Sequence, residues 1–218
     1  AATFQIATRL RGDVAGLGAV KTALSNGDSI VSVAISAGAA ITDLLTESKA
    51  KVVQANQTGL DTASRSALDN DFQALRSQIE TNVSTADFNA VNLIDASAST
   101  LDVLSSVDGS VISVSAQSLD TTTLGINTAS LATSSAAANA LSAIETAIDL
   151  AADKLAALGS SATGIEIQSQ FTTSLINVVE EGIGNLVDAD LAEESAQLQA
   201  LQVQQQLAVQ SLAIANSA

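Results

Sequence analysis

A seven-residue period dominates the start of the chain. Positions 10, 17, 24, 31, 38, 45 and 52 are Leu10, Leu17, Leu24, Val31, Gly38, Leu45 and Val52, six of them large aliphatics. A strict heptad keeps one stripe of a helix turned toward a partner helix. The period therefore predicts a single helix over residues 2–57, about 80 Å long at roughly 1.5 Å per residue. Asn26-Gly27, inside Ser25-Asn26-Gly27-Asp28, is a turn signal. The register passes through it unbroken, which argues for continuity.

Asn56 to Asp61 reads as a loop carrying Gly59. A second helix fits residues 62–85, with Leu68, Phe72, Leu75, Ile79 and Val83 on one face. From Asp87 to Thr133 the pattern changes. Leu101-Asp102-Val103-Leu104 and Ser110-Val111-Ile112-Ser113-Val114-Ser115 flank Asp108-Gly109, the signature of a β-hairpin. Helical spacing resumes near Ser135. Leu141, Ile144, Ile148, Ala151, Leu155 and Leu158 step by three and four, and the steps continue through Ala162, Ile165, Ser169, Thr172, Ile176, Val179, Ile183 and Leu186. Gly159 to Gly164 has a loop's composition, but the register survives it, so a continuous helix over about 135–186 is expected.

The register slips at Asp188-Ala189-Asp190, and a separate last helix is expected from Leu191 to Asn216. Leu191, Leu198, Leu201, Gln205, Ala208, Leu212 and Ala215 form its stripe among Gln- and Ala-rich positions. A narrow stripe on a polar helix suits a coiled-coil partner. The expected fold is mostly α, an elongated bundle of long heptad-patterned helices with a small β-hairpin region in the middle. Its expected segments are 1–86, 87–133, 134–187 and 188–218.

Composition narrows the chemistry. The chain is 47% hydrophobic but only 2% aromatic, so its apolar content is small and aliphatic, suited to close helix packing. Cys, His, Met, Trp, Tyr and Pro are all missing. Nucleophilic catalysis of the Ser-His-Asp or Cys-His kind lacks its imidazole base, and zinc lacks its usual ligands. No phosphate-cradling Gly-rich motif is present. No enzyme activity, cofactor or metal is expected. Asp188, Asp190, Glu193 and Glu194 crowd the expected helix start, where acids complement the dipole and cap amides; calcium is the sharper reading, but its loop pattern is missing. Glu180 and Glu181 are adjacent and point to different sides of a helix.

Net charge is −15 and unevenly placed. Residues 1–76 hold seven bases against seven acids, whereas residues 77–218 hold only Lys154 against sixteen acids. Nothing there displaces counterions from nucleic acid or binds an anionic membrane. No uninterrupted run of 18 apolar residues occurs, so no membrane span is expected.

Three segments carry a family resemblance. Asn26-Gly27-Asp28-Ser29-Ile30, with the Ala/Gly-rich run through Leu44-Leu45, resembles the long N-terminal helix of bacterial flagellin. Asp87-Phe88-Asn89-Ala90-Val91-Asn92-Leu93-Ile94 is similar to the Phe-Asn-Gly segment that enters the flagellin hairpin. The run from Asn185 to Glu194, then Gln204-Gln205-Gln206 and Leu212-Ala213-Ile214-Ala215-Asn216, resembles the flagellin C-terminus, in an alphaproteobacterial style. On this resemblance the chain is truncated at both termini.

The resemblance implies a secreted structural subunit of the flagellar filament that self-assembles for motility. Residues 188–218 would be a core-tube helix, assembling through Leu191, Leu198, Leu201, Gln205, Ala208 and Leu212. The 1–57, 62–85 and 135–186 helices would form a surrounding rod. Copies of the chain are the expected partners, with no nucleic acid and no membrane. Two alternatives remain: a hook–filament junction protein, and a cell-surface homologue that binds an extracellular polysaccharide. The second has few stacking aromatics to offer, and Arg9, Arg11, Lys21, Lys49 and Lys51 are its candidate basic residues.

Overall fold

The computed structural model describes residues 2–217. Among the described residues there are three helices and two small hairpins: α1 (Ala2–Ala55), α2 (Thr62–Thr85), β1 (Asp87–Phe88), β2 (Val91–Asn92), β3 (Leu101–Leu104), β4 (Val111–Val114) and α3 (Ser134–Ser217). The fold is mostly helical, with long helices and a β region in the middle, as the periodicity predicts. Two compact units divide it: residues 20–170, and the first 19 residues together with those from Phe171 onward. Both α1 and α3 run through both units.

In the larger unit α1 buries a complete heptad seam. Val20, Leu24, Gly27, Val31, Ala34, Gly38, Ile41, Leu45, Ser48, Val52 and Ala55 are buried, at steps of four and three. The helix runs through Asn26-Gly27 without a turn. Gly27 is there for contact: a Cβ on it would lie 2.6 Å from Val103 Cγ2 of β3. Gly38, the one small residue in the leading heptad row, has the same use. A Cβ there would come within 2.5 Å of Leu155 Cδ1 on α3. Both glycines let a neighbour approach the helix backbone more closely than any side chain allows.

The loop after α1 is closed by polar side chains. Asn56 Nδ2 donates to the Val52 and Ala137 carbonyls, each at 2.9 Å, and Arg65 Nη1 donates to the Ala55 carbonyl at 2.7 Å. The bond from Arg65 satisfies a carbonyl that the helix end leaves without a partner, and those from Asn56 tie the end of α1 to the first turn of α3. Gly59 turns the chain at φ +82°. Asp61 caps α2 by accepting from the Ser64 amide at 2.9 Å. Phe72, Ile79 and Val83 are then buried, and Leu68 packs at the core edge.

The flank of α2 beside this apolar row is polar and equally busy. Asp69, Gln73, Arg76 and Glu80 recur at steps of four, three and four and hold the segment before α3. Glu80 accepts from the Thr121 amide at 2.8 Å, and Arg76 Nη1 donates to the Asn127 and Ala129 carbonyls at 2.6 and 3.2 Å. Gln73 Nε2 donates to the Ala129 carbonyl at 3.2 Å, and Asp69 accepts from the Ser130 hydroxyl at 3.1 Å and from the Leu131 amide. Backbone groups that no ladder pairs are thus satisfied by side chains. Leu119, Leu124, Ile126 and Leu131 are buried beneath them.

The predicted hairpin is present. β3 and β4 pair antiparallel, Leu101 opposite Val114 and Leu104 opposite Val111, and Gly109 turns at φ +90°. A smaller hairpin joins β1 to β2 through Asn89 and Ala90, at φ 51° and 61°. A two-residue turn with both φ positive favours Asn-Gly; this chain places Ala90 where the Cβ is strained.

α3 requires two corrections. It is one helix from Ser134 to Ser217, with no separate element beginning at Leu191. Asp188, Asp190, Glu193 and Glu194 therefore lie mid-helix, where amides already donate to carbonyls one turn back, and they cap nothing. The slip at 188–190 rotates the apolar stripe by about one residue, roughly 100°, without ending the helix. Gly159 to Gly164 is helical, as the register implies. The buried face of its first part centres on Ala137, Ala140, Ile144, Ala147 and Ala151, while Leu141 and Ile148 pack from its edge.

Among the described residues one helix, over residues 3–55, is apolar enough to span a bilayer by length and composition, with mean hydropathy 1.6 in its richest window. The expectation of no span rested on an unbroken apolar run. An Ala-rich helix passes the averaged test without one, and here α1 carries the core seam of a helical unit.

Candidate functional site

In the smaller unit, Ala7, Leu17, Thr172 and Ile183 are buried. Beyond Asp190 the picture inverts. Every residue from Leu191 to Ala213 is exposed. The predicted stripe lies entirely on this stretch: Leu191, Leu198, Leu201 and Leu212 are 60, 59, 55 and 69% exposed, and Gln205 and Ala208 are exposed with them. The helix is regular throughout, so spacings of seven, three, four, three and four bring the six side chains to one face. The side chain of Ala215, expected in the same stripe, lies outside the described residues.

Val203, Leu207 and Val209 are also exposed, and the heptad reading missed them. Val203 and Leu207 continue Ala196 and Ala200 at steps of three and four, on the face opposite the leucine stripe. No charged residue occurs from Ser195 onward. Burying one leucine fully is worth about 1.5–3 kcal/mol. A surface helix that shows four of them, three in a stretch without charge, is built to be covered.

The basic candidates for an anionic ligand are partly spent. Lys49 pairs with Glu145 at 3.0 Å and Lys51 with Asp71 at 2.7 Å, and the hydrogen bond that Lys51 donates to Asp71 raises the pKa of its ammonium. Arg9, Arg11 and Lys21 are exposed. Among the described residues no group of three acids could hold a metal ion.

Residues 1–99 match the family described as bacterial flagellin N-terminal helical region, and residues 141–218 match the bacterial flagellin C-terminal helical region. The chain is 44% identical over 201 residues to flagellin FljM of Caulobacter vibrioides, covering 92% of this chain and 74% of the relative. A crystal structure of Bacillus cereus flagellin superposes with a TM-score of 0.61 at 20% identity, covering 67% of this chain and 86% of its own. A putative flagellar hook-associated protein from Vibrio parahaemolyticus superposes with a TM-score of 0.68 at 13% identity, covering 82% and 95%.

Proposed function

The chain belongs to the bacterial flagellin family and is a structural subunit of the flagellar filament; from that premise we propose that copies pack together through the exposed stripe of α3, Leu191, Leu198, Leu201, Gln205, Ala208 and Leu212. The observation that carries this reading is the uniform exposure of residues 191–213 on a regular helix that carries no charge after Glu194. Residues 188–218 then serve as the core-tube segment and residues 1–187 as the rod and hairpin around it. The filament is extracellular, and its subunits act by packing. Sequence likeness lies with the flagellins, whereas the hook-associated protein shares the fold alone, which favours the filament over the junction.

Leu198→Asp tests the proposal. A carboxylate in the stripe would be desolvated without a partner on assembly, at a cost of several kcal/mol. The subunit should keep its circular dichroism, yet form no sedimenting filaments under conditions where the parent does. Filaments of normal length and yield from this variant would sink the proposal.

A further inference from the structure

Two dipeptides in this chain are chemically labile by general peptide chemistry, Asn26-Gly27 and Asp108-Gly109. In each, the glycine amide nitrogen can attack the preceding side-chain carbonyl carbon. A succinimide ring forms, and ammonia leaves from asparagine or water from aspartic acid. Water then reopens the ring, and opening at the main-chain carbonyl leaves the chain running through the side chain as isoaspartate. For aspartate the water lost is regained; for asparagine ammonia is exchanged for water. Glycine matters because it has no Cβ to obstruct the attack. In a free chain the asparagine pair reacts faster, since ammonia leaves from a neutral amide.

The structure reverses that order. Gly27 lies in the interior of α1, where its amide donates to the carbonyl one turn back. Ring closure needs the backbone to leave helical dihedrals, and Gly27 is packed too tightly against Val103 to move. Gly109 instead sits in the exposed β3–β4 turn at φ +90°, its amide held only by a 3.3 Å bond to the Ser106 carbonyl. We propose that Asp108 is the modification site of the folded subunit, rearranging to isoaspartate through the Gly109 amide, while Asn26 is silenced by its helix.

Two serines set the pace. Asp108 Oδ1 accepts from the Ser106 hydroxyl, from the Ser110 amide at 3.2 Å and from the Ser110 hydroxyl at 3.0 Å. The reactive species is the neutral acid, whose hydroxyl leaves as water, whereas a carboxylate would have to expel oxide. These bonds, that from Ser106 foremost, hold the carboxyl below the usual range and so keep the neutral form scarce. Ser106 and Ser110 are therefore a brake. When the rearrangement occurs it adds a methylene to the main chain inside a tight turn and strains the β3–β4 register.

The test is to age the unassembled subunit in neutral and mildly acidic buffer, folded or in urea. Trypsin separates the two sites into fragments 22–49 and 77–154, and enzymatic methylation of isoaspartyl carboxyls locates the change. Folded protein should accumulate isoaspartate in the fragment with Asp108 and none in that with Asn26; in urea the Asn26 fragment should convert first. Ser106→Ala should hasten the reaction at Asp108, and Ser106→Thr, which keeps the hydroxyl, should restore the slow rate. Hydrogen exchange of the β3 and β4 amides verifies that the hairpin is intact in each variant. The proposal is overturned if folded chain reacts at Asn26 as in urea, or if Asp108 never converts while the unfolded chain converts there. An unchanged rate in Ser106→Ala with an intact hairpin removes the brake.

Discussion

One helix carries two apolar stripes of heptad spacing and opposite fates. Between Ile144 and Ile183 the stripe of α3 is buried at Ile144, Ala151, Leu158, Ile165 and Thr172; from Leu191 to Leu212 it is wholly exposed. Local propensity is similar in the two halves, and neither has proline. What differs is company. Ile144, Ala151, Leu158 and Ile165 share a core with α1, α2 and the hairpin, whereas every residue from Leu191 to Ala213 is exposed, with no charge after Glu194. A heptad therefore marks a surface that needs covering; it does not say which molecule supplies the cover.

The comparison predicts its largest effect from matched charges. Ile144→Asp should cost at least about 3 kcal/mol in urea unfolding of the isolated subunit, because it leaves an unpaired carboxylate in a packed core. Leu198→Asp should change the same quantity by less than about 0.5 kcal/mol and act only on assembly. Leu141→Asp, at the edge of the buried face, should fall between them. Equal losses from Ile144 and Leu198 would mean that the second stripe is covered within the subunit.

Glycines sharpen the contrast more gently. Gly38→Val should destabilise by about 1–3 kcal/mol, since it must displace Leu155 from a filled interior. Gly164→Ala lies in the same helical core unit, but nothing approaches its Cβ, so it should stabilise by roughly 0.5–1 kcal/mol through helix propensity alone. Thermal unfolding of the two variants should move in opposite directions. The smallest effect concerns the β1–β2 turn. Ala90→Gly relieves a left-handed conformation at φ 61° and should raise stability by up to about 1 kcal/mol; a loss there would mean that the Ala90 methyl packs usefully.

The residues legible in advance were those whose signal is local. Leu10 through Val52 announced α1, Asp108-Gly109 announced its hairpin, and the stripe ending at Leu212 was found with its spacing intact. The second row of the α1 seam was harder to see, because Gly27 and Ser48 occupy it and neither looks like a core residue. At Asn26-Gly27 the unbroken register outweighed a turn signal, as the continuous helix shows, but the contact with Val103 was not legible. The acids at 188–194 read as a cap because a register slip looks like a helix end, although a long helix absorbs one extra residue by turning its apolar face. Asp69, Gln73, Arg76 and Glu80 were invisible as a group, since a charged helical face is ordinarily only solvated.

Periodicity and turn signals belong to a single stretch of chain, so hydrophobic spacing marked the helical stretches and the stripe on α3, and Asp108-Gly109 between β-prone runs marked the β3–β4 hairpin. Coverage belongs to pairs of segments far apart in sequence. Only the tertiary structure decided that Val103 and Leu155 press onto bare glycines, that the polar face of α2 carries the backbone of residues 121–131, and that α3 runs unbroken through its own change of face. The physical reason is that burial is set by which surfaces meet, and a heptad records the demand for a neighbour without recording its identity.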